Sequence, residues 1–363
     1  MVQARVGCPR LVHGRMPAAG LIHIAYIHYF LLPNHCTSVQ KLFCQQPFKV
    51  SPINLASVAR LRSFLSPSAA FNLPGDSGYS NDRWALNAEQ SAAAVVCPAT
   101  PEDVVQILAF AQGKSPYEEQ KLLPLAVKGD GHTPSGASSS EGGLVIDLHL
   151  NIHTVRVDPD AKLAYVGGGC LWQEVDEATA QHVYLKLNHL KDAHAMHGNY
   201  RSLQGSFVPY VPEGILSSFV SDVYHAWLKY ITEHPSSSVS GVILELYHPG
   251  KWGSIPSDAT AFVHRKAVYN LAYIMTWSDP PFTEHASKVA LSLHQDIVRS
   301  RHAYFPADSV GEGEYTNYMD EESRAKSQDF ANRRFGEKFP RLVEIKLRYD
   351  PPNVFGRWFA APR

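Results

Sequence analysis

The most informative segment of this chain is Val127-Lys128-Gly129-Asp130-Gly131-His132-Thr133-Pro134-Ser135-Gly136-Ala137-Ser138-Ser139-Ser140-Glu141-Gly142-Gly143. It lies between two apolar runs, residues 122–127 and residues 144–148, which we predict to be strands. Because small residues dominate the stretch, its backbone N–H groups can point at a ligand without interference from side chains. A phosphate or pyrophosphate suits such a loop, and the imidazole of His132 sits where it can meet the same ligand.

The composition bounds the class of protein. The 363-residue chain is long enough for two domains with sizeable cores, and its hydrophobic content of 45% and charged content of 18% are typical of a globular protein. A formal net charge of -1 without a long basic stretch argues against a nucleic acid partner. The 5 cysteines have no regular spacing, and His194 and His197 lack a carboxylate or cysteine at convincing spacing. We therefore predict neither a disulfide framework nor a metal site.

The first residues differ in character from the rest of the chain. Arg5, Arg10 and Arg15 precede an uncharged run, residues 16–33, which is too short and too interrupted by histidine for a membrane span. A membrane association is therefore not expected. We interpret the segment as a poorly structured extension; the alternative is a secretory signal, although no clean Ala-x-Ala cleavage site follows it. The location stays open: a cytoplasmic one is favoured over secretion, which requires residues 1–35 to act as a signal.

The order of predicted elements around the loop is strand, helix, strand, loop, strand, which favours an α+β or α/β layer fold. A helix is predicted to begin after Thr100, which can cap it, with Pro101 in the first turn. Its predicted apolar face consists of Val104, Val105, Leu108 and Ala109. A further strand, residues 162–166, ends at Gly167-Gly168-Gly169, a tight turn into a helix that begins near Leu171.

The second half of the chain is rich in β-branched and aromatic residues. Residues 242–247 and 269–277 are predicted to be strands, and residues 284–301 and 341–349 are predicted to be helices. A mixed sheet covered by helices on one side would bury the apolar faces of all four elements. Trp252 and Trp277 are interpreted as core or substrate-facing aromatics.

Two groups of motifs, one in each half of the chain, together resemble a known family. The first runs from about Asn87 to His182 and includes residues 95–98, the Lys128-Gly129-Asp130-Gly131-His132-Thr133 segment, residues 138–148 and the glycine triplet. The second includes residues 257–265, the Tyr315-Thr316-Asn317-Tyr318 segment, residues 341–346 and residues 349–351. In this order they are similar to the FAD-linked oxidases of the vanillyl-alcohol-oxidase (PCMH-type) superfamily, in the berberine-bridge-enzyme-like branch.

The resemblance implies an α+β fold with a PCMH-type FAD-binding domain and a truncated second, α/β substrate domain. The implied division is an atypical extension (1–50), a partial FAD-binding domain (51–182), a remnant of the substrate domain (183–310) and a berberine-bridge-like segment that returns to the FAD domain (311–363). The implied activity is hydride transfer from an alcohol, sugar or similar donor to FAD, usually with reoxidation by O2. A small-molecule substrate and O2 are therefore the expected partners.

The resemblance also assigns roles to residues. In family members the histidine at the position of His132 is often bonded covalently to the flavin; the alternative is a histidine that caps a turn. Tyr315 and Glu245 are the candidate catalytic bases, with an ordinary strand aromatic and a solvent-facing glutamate as the alternatives. The pair His264-Arg265 is interpreted as structural. The predicted cofactor-binding residues are Lys128, Gly129, Asp130, Gly131, His132, Thr133, Ser135, Gly136, Ser138, Ser139, Gly142 and Asn317.

Three departures from the family pattern matter. Residues 1–50 do not resemble the start of a family member. Asp130 stands where the family commonly has glycine, and a carboxylate beside a pyrophosphate is electrostatically unfavourable. After His182 the chain continues with residues 183–188, which resemble a point far downstream, so that a long internal block is missing. A second hypothesis is therefore a catalytically inactive truncated remnant, or a mis-spliced gene model, of such an oxidase.

Overall fold

The computed structural model describes residues 2–5, 52–161, 163–181, 198–209, 211, 217–245, 253–256, 258–262, 264–265, 268–305, 315–318 and 334–356. Their strands form one sheet of four strands and two sheets of three. The strands are β1 (Val2–Arg5), β2 (Ala70–Asn72), β3 (Ala94–Cys97), β4 (Leu125–Lys128), β5 (Leu144–Asp147), β6 (Val155–Asp158), β7 (Leu163–Val166), β8 (Tyr200–Pro209), β9 (Gly241–Glu245) and β10 (Val268–Trp277). The α-helices are α1 (Leu55–Phe64), α2 (Pro101–Ala111), α3 (Trp172–Ala180), α4 (Ser217–Glu233), α5 (Thr283–Tyr304) and α6 (Phe339–Tyr349).

The four-stranded sheet has the order β2-β3-β5-β4, in which β5 runs parallel to both β3 and β4 and β2 is antiparallel to β3. Helices α1 and α2 pack together and share a core with this sheet. The glycine-rich stretch is the connection between the parallel strands β4 and β5, as the sequence predicts. Buried members of this core include Leu61, Ile107, Phe110, Leu144 and Ile146.

Helix α2 begins as predicted. The Thr100 hydroxyl accepts from the amide of Asp103, and the Asp103 carboxylate accepts from the amide of Thr100, which completes a capping box. Burial raises the pKa of Asp103, but hydrogen bonds from Ser66, Ala99 and Thr100 outweigh it and lower the pKa overall. The predicted apolar face is wrong at Val105, which is 62% exposed, whereas Leu108 and Ala109 pack against the core as predicted. Ile107, Phe110 and Ala111 are buried in that core. Which side chains of α2 are buried depends on where α1 and the sheet lie against the helix.

The sheet β1-β7-β6 is antiparallel and leads into α3. The glycine triplet makes the predicted turn, because side chains there would collide with backbone. A Cβ on Gly167 would lie 2.4 Å from the carbonyl oxygen of Ile152, and one on Gly169 would lie 2.3 Å from that of Leu148.

The third sheet has the order β8-β10-β9 and is antiparallel throughout, so the prediction of a mixed sheet is wrong. Helices α4 and α5 pack against each other and cover one face, as predicted for a sheet with helices on one side. The long ladder between β8 and β10 places residues 200–209 opposite residues 268–277. Buried members of this core include Phe219, Tyr273, Met275, Trp277, Leu293 and Ile297.

Helix α6 follows the predicted bounds closely and ends before Pro351-Pro352. Within the described ranges, every helix is too short or too polar to cross a membrane. The same ranges hold no cluster of three or more histidine, cysteine or acidic side chains that is arranged to bind a metal ion. His194, His197 and Trp252 lie outside the described residues.

Candidate cofactor and substrate site

The loop between β4 and β5 is shaped by glycines with left-handed backbone. The φ angles are +77° at Gly131, +69° at Gly136 and +60° at Gly142. These values lie in the region that glycine adopts without steric cost. Gly129 is small for another reason, because a Cβ there would lie 2.9 Å from the carbonyl oxygen of Gly168. Asp130 does not have positive φ, so aspartate at this position requires no left-handed conformation.

Several polar groups of the loop have no partner within the described part of the chain. The backbone amides of Gly131, Thr133 and Gly136 donate no hydrogen bond there, and the hydroxyl of the fully buried Ser139 has no partner either. Gly131 and Gly136 are themselves buried. An unpaired buried donor is costly, so these groups fit a loop whose amides bind an anionic ligand. A dinucleotide diphosphate supplies the acceptor oxygens that they lack.

Other polar groups of the loop bind the protein itself. The hydroxyls of Thr133 and Ser135 lie 2.8 Å apart, and Ser140 donates to the carbonyl oxygen of Pro124 over 3.1 Å. The Lys128 ammonium forms an ion pair with Asp147 at 2.8 Å, and both side chains are mostly buried. Lys128 therefore links β4 to β5 at the start of the loop.

A buried arginine braces the loop from the side. Arg83 is 2% exposed; its Nε donates to the Ser138 hydroxyl over 3.2 Å, and its Nη2 donates to the Ser138 carbonyl oxygen over 2.7 Å. Its Nη1 donates to the carbonyl oxygen of Asp82 over 2.8 Å. Burial lowers the pKa of Arg83, although the nearby carboxylates of Asp147 and Glu89 oppose the shift. The aliphatic part of Arg83 also packs on Gly131, where a Cβ would lie 2.8 Å from Arg83 Cδ.

His132 lies at the exposed side of the loop and stacks on an indole. Its ring centroid is 4.2 Å from that of Trp84, and the two planes differ by 14°. The guanidinium of Arg201, from β8, lies over the same indole with its Cζ 4.3 Å from the ring centroid. Arg201 is fully buried, and burial lowers its pKa to about 10. The loop and the third sheet therefore meet at Trp84.

The face of the third sheet that α4 and α5 leave uncovered is directed toward this junction. Ile274 on that face packs with Trp84, Ala85 and Ala88. By alternation along β8, Arg201, Gly205 and Phe207 lie on the same face. From Arg201 to Phe207 the strand advances about 20 Å at ~3.4 Å per residue. This face thus extends from the imidazole toward a second polar cluster.

Glu245 is at the centre of that second cluster. Its Oε2 accepts a hydrogen bond from Asn270 Nδ2 over 2.5 Å, and its Oε1 accepts one from the Tyr318 hydroxyl over 2.9 Å. Asn270 is 7% exposed, and its Oδ1 has no partner in the described part of the chain. Tyr318 lies over β8 at Gly205, where a Cβ would lie 2.9 Å from Tyr318 Cβ. Here a carboxylate and an unpaired amide oxygen are hydrogen-bond acceptors that lie close together.

The structure brings the two candidate bases into one cluster through Tyr318 rather than by direct contact. The Tyr315 ring packs edge-on against that of Tyr318, with centroids 4.9 Å apart, and it also packs against Phe207 and Val268. Asn317 is exposed and donates to the Tyr315 hydroxyl over 3.1 Å. Of the predicted cofactor-binding residues, Asn317 thus lies in the tyrosine cluster, whereas the others lie in the loop or at its start.

His264 has a structural environment, in line with its interpretation. Its ring lies 4.7 Å from that of Phe207 and 5.4 Å from that of Phe262. Burial, together with the positive charges of Arg334 and Arg265, lowers its pKa to about 4. A neutral imidazole at this position supports the packing of Phe207 behind the tyrosine cluster.

Sequence reasoning did not identify five residues of these two clusters: Arg83, Trp84, Arg201, Asn270 and Tyr318. The sequence could have indicated Tyr318, because it lies in the same short motif as Tyr315. Arg83 and Trp84 stand together in Asn81-Asp82-Arg83-Trp84, a charged and aromatic segment directly before a buried strand. Arg201 and Asn270 carry no signal of their own, since their role depends on how β8 and β10 pair.

Gly143 provides a direct test of the close packing at the end of the loop. A Cβ there would lie 2.2 Å from both the carbonyl oxygen of Pro124 and the Ser140 hydroxyl, so Gly143→Ala is expected to lower the free energy of unfolding by about 2 kcal/mol. The control is Gly241→Ala, which would meet nothing within 4 Å and is expected to change stability by less than about 1 kcal/mol. Urea denaturation of both variants measures the difference; equal effects would contradict the close approach of Gly143 to Pro124.

A glycine-shaped loop with unpaired amides between parallel strands, close to a separate antiparallel sheet, is typical of a protein that binds a dinucleotide cofactor. Comparison with known proteins agrees. Residues 92–198 match the family model described as an FAD binding domain, and residues 314–357 match the model described as berberine and berberine like. In both regions the chain is similar to the FAD-linked oxidoreductases of the berberine-bridge-enzyme-like branch.

Individual relatives point the same way. Berberine bridge enzyme-like 17 from Arabidopsis thaliana is 31% identical over 116 residues, which are 29% of this chain and 21% of that protein. Cytokinin dehydrogenase 2 from the same plant is 34% identical over 88 residues, covering 24% of this chain and 16% of that protein. The matched stretch thus spans about a fifth of the length of these relatives. The solved structure of Physcomitrella patens BBE-like 1 is 11% identical with a TM-score of 0.58 over 84% of this chain and 99% of that one, which supports the PCMH-type fold.

Proposed function

We propose that this protein is an FAD-dependent oxidase that takes a hydride from an alcohol, sugar or similar small donor and passes the electrons to O2. The observation that carries the proposal is the set of unpaired amides at Gly131, Thr133 and Gly136, in a loop that also holds His132. Those amides, with the Ser139 hydroxyl, would hold the diphosphate of FAD. The exposed His132 would be the attachment point for the flavin.

The chain's own residues divide the remaining work. Arg83 fixes the conformation of the loop through its hydrogen bonds to Ser138. Lys128 fixes the start of the loop through its ion pair with Asp147. When bound, FAD supplies the hydride acceptor. Glu245 would accept the proton of the donor's hydroxyl, Asn270 Oδ1 would accept a second hydrogen bond from the donor, and Tyr318 would hold the carboxylate in place. The donor then loses one hydride and one proton and becomes a carbonyl compound.

Flavin retention tests the proposal. The purified protein is expected to be yellow, with flavin absorbance bands, and to keep its flavin after acid precipitation. His132→Ala is expected to bind FAD but to release all of it in acid. A colourless wild-type protein that takes up no added FAD would refute the proposal; acid-stable flavin in His132→Ala would refute the linkage at this residue alone.

One observation favours a second candidate, a catalytically inactive relative. The match to the FAD binding domain ends at residue 198, and β8, a strand of the other sheet, begins at Tyr200. A soluble, folded protein that binds FAD but does not become reduced by any alcohol or sugar under anaerobic conditions would support this candidate.

A cytoplasmic location is likewise a proposal, and fractionation of cells that express the chain tests it.

A further inference from the structure

Trp84 occupies the junction between the cofactor loop and the third sheet. It is 4% exposed, and its indole contacts both the imidazole of His132 and the guanidinium of Arg201. His132 comes from the loop and Arg201 from β8, so one aromatic ring joins groups from two sheets. Among the loop residues, His132 is the one whose side chain the proposed function uses covalently.

The position of this indole is fixed by main-chain hydrogen bonds on both sides. On the loop side, the Trp84 amide donates to the carbonyl oxygen of Gly131 over 3.3 Å. On the sheet side, the Trp84 carbonyl oxygen accepts from Arg201 Nη1, and the amide of Leu86 donates to the carbonyl oxygen of Asn199 over 2.9 Å. The indole therefore has little freedom to move independently of the loop or of β8.

Asn87 adds a second connection between the same elements. Its Nδ2 donates to the carbonyl oxygen of Pro134 over 3.1 Å, and its Oδ1 accepts from the amide of Arg201 over 2.7 Å. The loop carbonyls on both sides of His132, those of Gly131 and Pro134, are thus held by the segment that carries Trp84. The backbone that presents the imidazole is as constrained as the ring on which it stacks.

Stacking restrains an imidazole without using its nucleophilic atoms. The lone pair of a ring nitrogen lies in the plane of the ring, whereas the Trp84 contact, with a 14° angle between planes, is made through a ring face. Stacking through a ring face restricts the rotation of the imidazole about the Cβ–Cγ bond and does not itself involve the ring nitrogens. Restricting the nucleophile to one orientation raises the rate at which a bond forms to a neighbouring ligand.

We propose that Trp84 and Arg201 are positioning residues that hold the His132 imidazole edge-on to the flavin methyl group for covalent attachment. This inference rests on the proposed function. Attachment forms a bond from an imidazole nitrogen to the methyl carbon in place of one methyl hydrogen. Two protons are released to solvent, and the two electrons pass to the flavin and from it to O2.

The test measures the rate of attachment separately from FAD binding. Apoprotein variants are incubated with excess FAD in air, total binding is followed by quenching of flavin fluorescence, and attached flavin is followed by absorbance after acid precipitation. Trp84→Leu removes the stacked ring and is expected to slow attachment roughly tenfold at equal FAD occupancy. Trp84→Phe keeps a stacked ring and is expected to stay within about threefold of the wild type.

Two further variants complete the design. Trp172→Leu is the matched control, because Trp172 is 75% exposed on α3, and the wild-type rate is expected. Arg201→Met removes the guanidinium at similar length and is expected to slow attachment; it also serves if Trp84→Leu does not fold. Wild-type rates in Trp84→Leu or, in its place, in Arg201→Met would overturn the positioning role while leaving the linkage intact. A wild-type protein that binds FAD without attaching it would overturn both.

Discussion

Replacing Arg83 with methionine is expected to lower the free energy of unfolding by about 3 kcal/mol and to abolish measurable FAD binding. Methionine approximates the aliphatic part of arginine but donates no hydrogen bond. The substitution leaves the Ser138 carbonyl oxygen and hydroxyl, and the Asp82 carbonyl oxygen, without their buried donor. Because Ser138 lies in the loop that would hold the diphosphate, the loss of stability and the loss of FAD affinity have one cause.

The measurement is urea denaturation together with FAD titration of the apoprotein. Arg341→Met is the matched control, because Arg341 pairs with Glu344 on an exposed face of α6 and is expected to contribute less than about 1 kcal/mol. Arg83→Lys restores a charge but not the paired donors, and we expect intermediate stability with weak FAD binding. Unchanged FAD affinity in Arg83→Met would contradict a bracing role for Arg83.

Replacing Glu245 with glutamine is expected to lower kcat by about 10²- to 10⁴-fold while FAD stays bound. The amide keeps the shape of the side chain and can still accept from Tyr318 or Asn270, but it cannot take up a proton at neutral pH. The loss is therefore expected in the reductive half-reaction, as the rate at which an anaerobic donor bleaches the flavin. KM is expected to change less than kcat, because the donor's other hydrogen bonds remain.

Two variants make this result specific. Glu233→Gln changes an exposed carboxylate on α4 and is expected to leave the rate of flavin reduction unchanged. Tyr315→Phe tests the other candidate base; its hydroxyl accepts from Asn317 and lies next to the cluster. A much larger loss in Tyr315→Phe than in Glu245→Gln would assign the base to Tyr315 instead.

The elements around the cofactor loop could be predicted because local chemistry determines them. Thr100 and Pro101 specify the start of α2, the glycine triplet specifies a turn, and short apolar runs specify strands on either side of the loop. The sequence also indicates that the loop suits a diphosphate. It does not reveal that Arg83 holds the loop in shape, since that depends on contacts across 55 residues of chain.

Neither strand β8 nor helix α4 was predicted, and for the strand there is a physical reason. The strand contains Arg201, Ser202, Gln204 and Ser206, all buried, and a run with so many polar residues reads as a loop. Helices α4 and α5 cover Ser202, Gln204 and Ser206, and Arg301 from α5 donates to Ser206. Arg201 lies on the opposite face, where it packs on Trp84. The polar residues of β8 are buried by contacts with other elements. The sequence of the strand alone does not reveal those contacts.

The same limit applies to the second cluster. Glu245 and Tyr315 could be proposed from motifs, but the hydrogen bond that Glu245 accepts comes from Tyr318. The partner on the other side, Asn270, is set by the register of β9 against β10. Register is a property of the assembled sheet, so the carboxylate can be predicted while its neighbours cannot.

The contacts that hold Trp84 have a consequence for how the protein is made. Arg201 meets Asn87 and Trp84 across 114 and 117 residues of chain, respectively. When the glycine-rich loop has left the ribosome, Arg201, which holds Trp84 in place, has not yet been synthesised. The loop and Trp84 therefore emerge before Arg201 can hold the indole in place, and the contacts around His132 are complete only after β8 has left the exit tunnel.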